Sequence, residues 1–189
     1  MKLSTLFNPY ALRFYIKQFI MLVKHGGRLH LNGYRLSLEP MAEFTIDPDS
    51  HIYLGRQIHL RKNADIEARD GAVVHIGNHF FMNKNSSIIS RYGVTIGDHC
   101  MIGENTSIID HNHAFHNPTD TIQTQEYTGS EITIGNNVWI AGRVFIGHGV
   151  HIGDNVVIGA NTVVTKSIPS DSVVYGKTEL IIKPLERRK

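Results

Sequence analysis

Residues 132–164 read ITIGNNVWIAGRVFIGHGVHIGDNVVIGANTVV, and this segment has a repeat of six residues. An α-helix repeats near 3.6 residues and a strand near two, so neither accounts for the spacing. A β-solenoid does, because each hexad supplies a short strand and a turn, and its aliphatic side chain points into a shared core. The repeat positions are Ile134, Ile140, Ile146, Ile152, Ile158 and Val164.

The same register extends toward the N-terminus, which predicts that the solenoid occupies most of the chain. It continues regularly through Ile96, Ile102 and Ile108, and more loosely before them. Asp70 falls on a repeat position although it is a poor core residue, so irregular early coils are expected. The looser positions are Ile52, Ile58, Ala64, Asp70, Ile76, Met82 and Ile88.

Two breaks in the register locate candidate functional segments, because a solenoid accepts insertions as loops on one face. The spacing from Ile88 to Ile96 is two residues too long, which predicts a small bulge at residues 91–93. After Ile108 the pattern resumes only at Ile134. The intervening sequence is polar and predicts a long excursion loop at about residues 115–131.

Composition limits the classes of function. A chain of 189 residues with 41% hydrophobic content can bury one core, and a net charge of +2 gives no basis for a nucleic-acid partner. Cys100 is the one cysteine, so no intramolecular disulfide points to an oxidising compartment. These features predict a single soluble domain in the cytoplasm.

The first 25 residues differ from the repeats and predict an amphipathic helix, with aromatic and aliphatic residues beside Arg13, Lys17 and Lys24. The basic residues interrupt the apolar run, which argues against a signal peptide or membrane span. Two interpretations stay open: the helix caps the solenoid, or it lies peripherally on the inner membrane. The predicted organisation is a cap at 1–25, a β-helix domain at 26–175 and a basic tail at 176–189.

Three segments carry a resemblance to a known family. They are IGNHFFMNKN (76–85), VTIGDHCMIGENTSIIDHNH (94–113) and ITIGNNVWIAGRVFIGHGVHIGDNVVIGANTVVTKSIP (132–169). The chain resembles the hexapeptide-repeat acyltransferases, in particular the galactoside and maltose O-acetyltransferases and the enzymes that acetylate bacterial surface sugars. IGNNVWI and VVTKSIP are the most family-specific parts.

This resemblance implies an all-β fold, a left-handed parallel β-helix, assembled as a homotrimer with active sites between subunits. It also implies acetyl-CoA as co-substrate without a metal, and acetylation of a sugar hydroxyl, with a bacterial surface polysaccharide or its precursor as the expected acceptor. N-acetylation of an amino sugar is the nearest alternative, since an amine can replace the hydroxyl in the same site.

Direct acetyl transfer needs a base for the acceptor hydroxyl, and a neutral histidine suits that role near pH 7. By resemblance, His113 matches the family's catalytic histidine. His111 is either an alternative base or a residue that braces the loop, and His116 is expected to line the acceptor pocket. Asp110 is expected either to orient one of these imidazoles or to cap backbone amides of the loop.

The remaining site residues also follow from the resemblance. Trp139 would line the acetyl end of the site, and the WIAG turn, which departs from the more frequent WIG, would supply an amide for the oxyanion. Asn83 and Asn85 would contact the acceptor sugar, or alternatively form a ladder along a solenoid turn. The residues expected to contact CoA are Ala141, Gly142, Ala160, Thr165, Lys166 and Lys183.

Two other classes of function are considered. A metal-dependent solenoid enzyme of the γ-carbonic anhydrase type would need histidines such as His75, His111 and His116, but these occupy different positions of the repeat. A noncatalytic binding scaffold is the second, since repeat folds present extended binding surfaces. It would require neither a histidine at the mouth of the loop nor the tryptophan turn.

Overall fold

The computed structural model describes residue 16, residues 20–21, residues 23–33 and residues 35–177. These residues form a parallel β-solenoid, which confirms the predicted all-β class. Residue 16, residues 20–21 and residues 23–25 are helical. The rest of the helix predicted at 1–25, and residues 178–189 of the predicted tail, lie outside the described residues, so the three-part organisation stays a prediction.

The strands are short and follow one another coil by coil. The first coil contains β1 (Leu29–Leu31), β2 (Leu36–Leu38) and β3 (Glu43–Ile46), and the second β4 (His51–Leu54), β5 (Ile58–Leu60) and β6 (Asp65–Ala68). The third contains β7 (Val73–Ile76), β8 (Phe81–Met82) and β9 (Ser87–Ser90), and the fourth β10 (Val94–Ile96), β11 (Met101–Ile102) and β12 (Ser107–Ile109). An antiparallel hairpin follows, β13 (His111–His113) with β14 (Tyr127–Gly129). Then come β15 (Ile132–Ile134), β16 (Trp139–Ile140), β17 (Phe145–Ile146), β18 (His151–Ile152), β19 (Val157–Ile158), β20 (Val163–Val164) and β21 (Val173–Val174).

Each of the first six coils gives one strand to each of three parallel sheets, which form the faces of a prism, and β21 extends one of these sheets. Sheet A contains β1, β4, β7, β10, β15 and β18. Sheet B contains β2, β5, β8, β11, β16, β19 and β21, and sheet C contains β3, β6, β9, β12, β17 and β20. The chain therefore turns at three kinds of corner, which we name A-to-B, B-to-C and C-to-A.

The predicted repeat positions form the core. Ile134, Ile140 and Ile146 are buried in sheets A, B and C respectively, one on each face of the same coil. Full burial of one such side chain stabilises the fold by about 1.5–3 kcal/mol. The aliphatic repeat positions contribute this stabilisation in coil after coil.

Asp70 falls on a repeat position but does not enter the core, and the early coils are irregular, as expected. Asp70 is exposed at the C-to-A corner with φ 54°, where its carboxylate keeps its hydration. The early coils are longer than the late ones: Ile52 pairs with Val74, a spacing of 22 residues, whereas Thr133 pairs with His151, a spacing of 18. The extra residues shift the register, and Ile66 and Ala68 fill the core instead.

Polar side chains reinforce the corners from coil to coil. At the A-to-B corner, Asn137 donates from Nδ2 to Asn155 Oδ1, and Asn155 donates from Nδ2 to Asp171 Oδ1, both at 2.9 Å. All three residues have φ between 54° and 58°. Asparagine and aspartate tolerate this left-handed conformation better than most residues do, which explains their recurrence at the turns.

The excursion begins four residues earlier than predicted. Instead of continuing around the prism to residue 115, His111–His113 pairs antiparallel with Tyr127–Gly129, so that His111 lies opposite Gly129 and His113 opposite Tyr127. Residues 114–126 form the outer part of the excursion, with a 3₁₀ turn at Ile122–Thr124. The chain rejoins the prism at β15.

Candidate active site

The two ends of the excursion meet at the C-to-A corner. The backbone oxygen of Asp110 accepts the N–H of Ser130 at 3.1 Å, and the oxygen of Ser130 accepts the N–H of Gly149 at 3.1 Å. At Gly129 there is no room for a side chain, because the backbone of Asp110 and His111 occupies that space. The base of the hairpin is therefore fixed to the fourth and fifth coils.

Asp110 is the anchor of this corner. Its side chain is fully buried and accepts the hydroxyl of Ser90 at 2.7 Å and the backbone N–H groups of Tyr92 and Gly93 at 2.9 and 2.8 Å. The N–H of Arg91 points at both carboxylate oxygens, at 2.9 and 3.1 Å. Burial alone would raise the pKa of Asp110, but these donors, led by the Gly93 and Arg91 amides, hold it below its ordinary value.

Asp110 contacts one of the two candidate histidines. Nδ1 of His111 lies 3.0 Å from Asp110 Oδ1, and the His111 side chain is only 11% exposed. The His113 side chain is exposed, and it makes no hydrogen bond with any residue in the described part of the chain. Asp110 therefore contacts an imidazole, that of His111, and the backbone amides that donate to it belong to the bulge at residues 91–93 rather than to the excursion loop.

Tyr127 lies beside both imidazoles. Its ring centroid is 5.1 Å from that of His111, edge to face at 86°, and 4.6 Å from that of His113, at 44°. The guanidinium carbon of Arg91 lies 3.7 Å from the centroid of the same ring, and the Tyr92 hydroxyl donates to the Tyr127 backbone oxygen at 2.8 Å. The bulge at residues 91–93 therefore contacts one arm of the hairpin at Tyr127, and it contacts Asp110 just before the other arm begins.

His116 lines a cavity of about 390 Å³ inside the excursion. The polar residues around it are held by one another: Asn117 donates to Asp120 at 2.7 Å, and Gln125 donates to the backbone oxygen of Asn117 at 3.1 Å. The cavity is polar and open beside the hairpin, and the role of His116 in an acceptor pocket stays a prediction.

The B-to-C corner carries the WIAG turn. The N–H of Ala141 donates to Ile158 at 2.9 Å, whereas the N–H of Gly142 has no hydrogen-bond partner among the described residues. A Cβ at Gly142 would lie 3.2 Å from the Glu104 backbone oxygen, so this turn packs closely on the preceding coil. The backbone amides of Ala141 and Gly142 are the two predicted donors to the oxyanion. Of these, the Gly142 amide is not used in a hydrogen bond with another described residue. Ala160 lies exposed at the same corner, one coil later.

Trp139 projects outward from sheet B and is 50% exposed. It lies between Met101 and Val157 in the strand register, in an apolar column that runs through five coils on the outside of this sheet. The column consists of Phe81, Met101, Trp139, Val157 and Val173.

Thr165 and Lys166 lie at the C-to-A corner, two coils beyond Asp110. Together with the turn that follows, they line a cavity of about 410 Å³, and the Lys166 side chain is exposed. This is the surface on which CoA contacts are predicted. Lys183, the remaining predicted contact, lies outside the described residues.

Asn83 and Asn85 lie at the B-to-C corner. Asn85 has φ 57°, accepts a hydrogen bond from Asn63 at 2.9 Å and donates one to Asn105 at 3.4 Å. Asn83 donates to Glu104 Oε2 at 3.2 Å. Asn85 therefore forms the ladder that was its alternative interpretation, and Asn83 belongs to the surface beside Gly142.

One prism does not bring the predicted site residues together. His113 and Lys166 belong to the C-to-A corner, Gly142 and Ala160 to the B-to-C corner, and Trp139 to sheet B, the face opposite the C-to-A corner. An active site that uses all of them needs a second copy of the chain.

The histidines considered for a metal site also lie apart. His75 stacks on Tyr53 on the outside of sheet A, with ring centroids 4.6 Å apart, while His111 lies in the hairpin and His116 in the excursion cavity. Within the described ranges, no three histidine, cysteine or acidic residues form a group that could hold a metal ion. The part of the chain that the structure covers also contains no helix long and apolar enough to cross a membrane.

Two residues of this site, Ser90 and Tyr127, were not predicted from the sequence. Arg91 and Tyr92 were predicted as part of a bulge in a candidate functional segment, from the register break between Ile88 and Ile96, but without individual roles. Tyr127 has no repeat register at all, because it lies within the excursion.

Comparisons with known proteins agree with the fold and the repeats. The family model "Bacterial transferase hexapeptide (six repeats)" matches residues 131–166, and "Hexapeptide repeat of succinyl-transferase" matches residues 84–109. Galactoside O-acetyltransferase of Escherichia coli (strain K12) is 42% identical over 118 residues, which are 62% of this chain and 57% of that protein. The chain thus spans little more than half the length of this relative.

Two solved structures are similar in fold and sequence. A maltose O-acetyltransferase from Clostridium difficile 630 has a TM-score of 0.58 at 28% identity, covering 92% of this chain and 77% of the other. A hexapeptide-repeat acetyltransferase from Vibrio cholerae O1 biovar eltor, solved with acetyl coenzyme A, has a TM-score of 0.56 at 27% identity, covering 78% and 73%. Together with the repeat matches and the three-sheet prism, these similarities show that the chain contains hexapeptide repeats of the bacterial transferase type and is similar to hexapeptide-repeat acetyltransferases.

Proposed function

We propose that the protein transfers an acetyl group from acetyl-CoA to a sugar hydroxyl, with His113 as general base. The observation that carries the proposal is an exposed imidazole without a hydrogen-bond partner among the described residues, presented on a hairpin that the buried Asp110 anchors. Galactoside and maltose O-acetyltransferases among the relatives, and acetyl-CoA in the Vibrio structure, support the donor and the acceptor class.

In the proposed reaction the His113 imidazole accepts the proton of the hydroxyl as its oxygen bonds to the acetyl carbonyl carbon. The negative charge that develops on the carbonyl oxygen needs a preorganised donor, and the unpaired N–H of Gly142 from a neighbouring copy is our candidate. The carbon–sulfur bond then breaks, and the leaving thiolate takes up the proton from the imidazolium. The products are an acetyl ester and CoA.

We propose a homotrimer because the faces of the prism differ in charge. The described strands of sheets A and B contain no Asp, Glu, Lys or Arg, whereas sheet C presents Glu43, Asp65 and Glu67. If sheet A of one copy packs against the apolar column of sheet B in the next, three copies close a ring with sheet C outside. The C-to-A corner of one copy then adjoins the B-to-C corner of its neighbour.

This arrangement would unite the separated site residues. His113, Thr165 and Lys166 of one copy would face Trp139, Gly142 and Ala160 of the next. The groove between them runs along the prism axis and is the proposed place for acetyl-CoA, with Lys166 near its phosphates.

The proposed acceptor is a bacterial surface polysaccharide or its precursor, and the cytoplasm is the proposed location because acetyl-CoA is made there. The polar cavity beside His116 suits a hydroxyl-rich ligand. Peripheral membrane contact through residues 1–25 stays a prediction, since most of that segment lies outside the described residues.

The experiment measures acetyl-CoA binding by calorimetry, and then CoA release in the presence of sugars, nucleotide-linked sugars and bacterial glycans. We expect one acetyl-CoA bound per chain and an acetylated product whose acetyl group is released by mild alkali, as an ester is. An alkali-stable product would be an amide, and it would mean that the acceptor group is an amine rather than a hydroxyl, as in the N-acetylation alternative. Absence of acetyl-CoA binding would overturn the proposal.

A further inference from the structure

The hairpin presents Tyr127 to both candidate histidines. His113 and Tyr127 lie directly opposite each other in the antiparallel pair, and side chains of such pairs project from the same face. His111, two residues earlier on that face, lies opposite Gly129, which has no side chain. The ring of Tyr127 therefore contacts both imidazoles, at centroid distances of 4.6 Å to His113 and 5.1 Å to His111.

Among the hydrogen bonds, ion pairs and ring contacts of the described residues, this ring contact is the one that the His113 side chain makes. The imidazole has no hydrogen-bond partner in the described part of the chain, and its side chain is exposed to solvent. An exposed histidine without such a partner can exchange rotamers, and a general base in the wrong rotamer is out of reach of the acceptor proton. Tyr127 limits that freedom from one side.

Tyr127 is itself held by the bulge of the preceding coil. Arg91 places its guanidinium over the ring at 3.7 Å, and it also pairs with the carboxylate of Asp70. The backbone N–H of Arg91 donates to Asp110, so this residue contacts the anchor of the hairpin as well as its aromatic ring. Tyr92 adds a hydrogen bond to the Tyr127 backbone oxygen at 2.8 Å. A guanidinium over an aromatic face is a stabilising contact whose strength rises when it is shielded from water.

We infer that Tyr127 is a positioning residue of the active site, which holds the His113 imidazole in its reactive orientation and is in turn held by Arg91. The catalytic consequence rests on the proposed function, whereas the orientation of the ring does not. Displacement of a catalytic group by about 1 Å can cost roughly 10²-fold in rate, so loss of this contact should lower kcat.

The chain offers matched variants. Tyr127→Phe keeps the ring, and it also keeps the bond from Tyr92, because that bond ends on the backbone oxygen. Tyr127→Leu removes the aromatic face with little change in hydrophobicity. Arg91→Met removes the guanidinium, and Asp70→Asn is its control, since it weakens the ion pair but leaves Arg91 over the ring.

The first measurement is independent of activity. The ring current of Tyr127 shifts the imidazole signals of His113 and His111 in a carbon–proton correlation spectrum, where His113→Gln and His111→Gln assign the two sets. We expect both sets to move in Tyr127→Leu, the His113 set to move in Arg91→Met, and neither to move in Tyr127→Phe. Unmoved His113 signals in folded Tyr127→Leu would overturn the inference, even if the protein acetylates no sugar.

The second measurement is steady-state acetylation. For Tyr127→Leu we expect kcat to fall by roughly 10-fold or more with the KM for acetyl-CoA unchanged, and we expect Tyr127→Phe and Asp70→Asn to stay near wild type. If Tyr127→Leu is unfolded, Arg91→Met carries the test. An equal fall in kcat for Tyr127→Phe and Tyr127→Leu contradicts the positioning role. Wild-type kcat in folded Tyr127→Leu and Arg91→Met also contradicts it. Either result leaves the proposed role of His113 as general base intact.

Discussion

Asp110 accepts the backbone N–H of Gly93 at 2.8 Å, although the two residues lie on successive coils and 17 positions apart in sequence. The bulge at residues 91–93 and the origin of the excursion are thus one structural unit. A buried carboxylate that accepts several backbone donors is favoured by them in its anionic form, because protonation weakens these bonds.

We therefore predict that Asp110→Ala lowers the free energy of unfolding by about 3 kcal/mol or more, because it strands three backbone N–H groups away from water. For a chain of this size that corresponds to a fall in Tm of roughly 6 °C or more, measurable by thermal unfolding at fixed protein concentration. Asp110→Asn is the milder control.

The folded-state pKa of Asp110 lies below its unfolded value, so its contribution is complete above that value and is lost as pH falls through the folded pKa. The Tm difference between wild type and Asp110→Asn should hold from pH 5 to 7 and shrink below about pH 4. A difference independent of pH would contradict an anionic anchor.

The second prediction separates the two histidines of the hairpin. His113→Ala should lower kcat by about 10² or more with normal folding, because the proposed base is lost. His111→Ala should lower Tm, since the largely buried ring contacts Asp110 and Tyr127, and should lower kcat less. Activity assays and thermal unfolding on both variants decide between them, and the reverse order of kcat losses would assign the base to His111.

The repeat register, and with it the core, could be predicted from the sequence because burial of one aliphatic side chain per hexad is a local requirement. Ile134, Ile140 and Ile146 follow it. Asp70 shows the limit of this prediction. Residues added at a corner shift which positions face the core, although the six-residue spacing of neighbouring hexads does not change.

The Asp110 anchor could not be predicted, because its donors come from the preceding coil. The contact between His113 and Tyr127 depends on the register of a hairpin for which no repeat exists. The site across two copies was expected from resemblance alone, and the prism adds a physical reason, namely that Trp139 and His113 lie on opposite sides of one chain.

The third prediction concerns the left-handed corners. Asn155 has φ 57° and links Asn137 to Asp171 through its side chain. Asn155→Ala should destabilise the protein by roughly 1–2 kcal/mol, from the cost of a Cβ in this conformation and from the lost hydrogen bonds. Asn155→Gly loses only the bonds and should be the more stable of the two by denaturant unfolding. Equal stability would mean that φ at this corner carries no strain.

The fourth prediction concerns an acidic pair on sheet C. Asp65 and Glu67 project from the same side of β6, near Glu43 and Arg69. Burial, followed by the hydrogen bond and charge of Glu67, raises the pKa of Asp65 to about 7, while Arg69 donates to Glu67 at 2.5 Å.

The folded protein therefore binds one more proton at Asp65 than the unfolded chain between about pH 4 and 7, so this group makes stability fall as pH rises through that window. Asp65→Asn, which stays neutral, should remove this decline and raise Tm relative to wild type at pH 8. Parallel Tm profiles of wild type and variant would show that Asp65 is already ionised at pH 5.

The fifth prediction tests whether each site is shared between two copies. His113→Ala and Trp139→Ala should each be poorly active, because the first removes the proposed base and the second the residue that lines the acetyl end from the neighbouring copy. When the two variants are unfolded together, mixed and refolded, some interfaces pair an intact His113 with an intact Trp139. For equal random mixing this is about one interface in four, so about a quarter of wild-type activity should return. Each variant refolded alone is the control. If mixing restores nothing while the trimers do exchange subunits, both residues belong to a site within one chain, and the proposed packing of sheet A against sheet B is wrong.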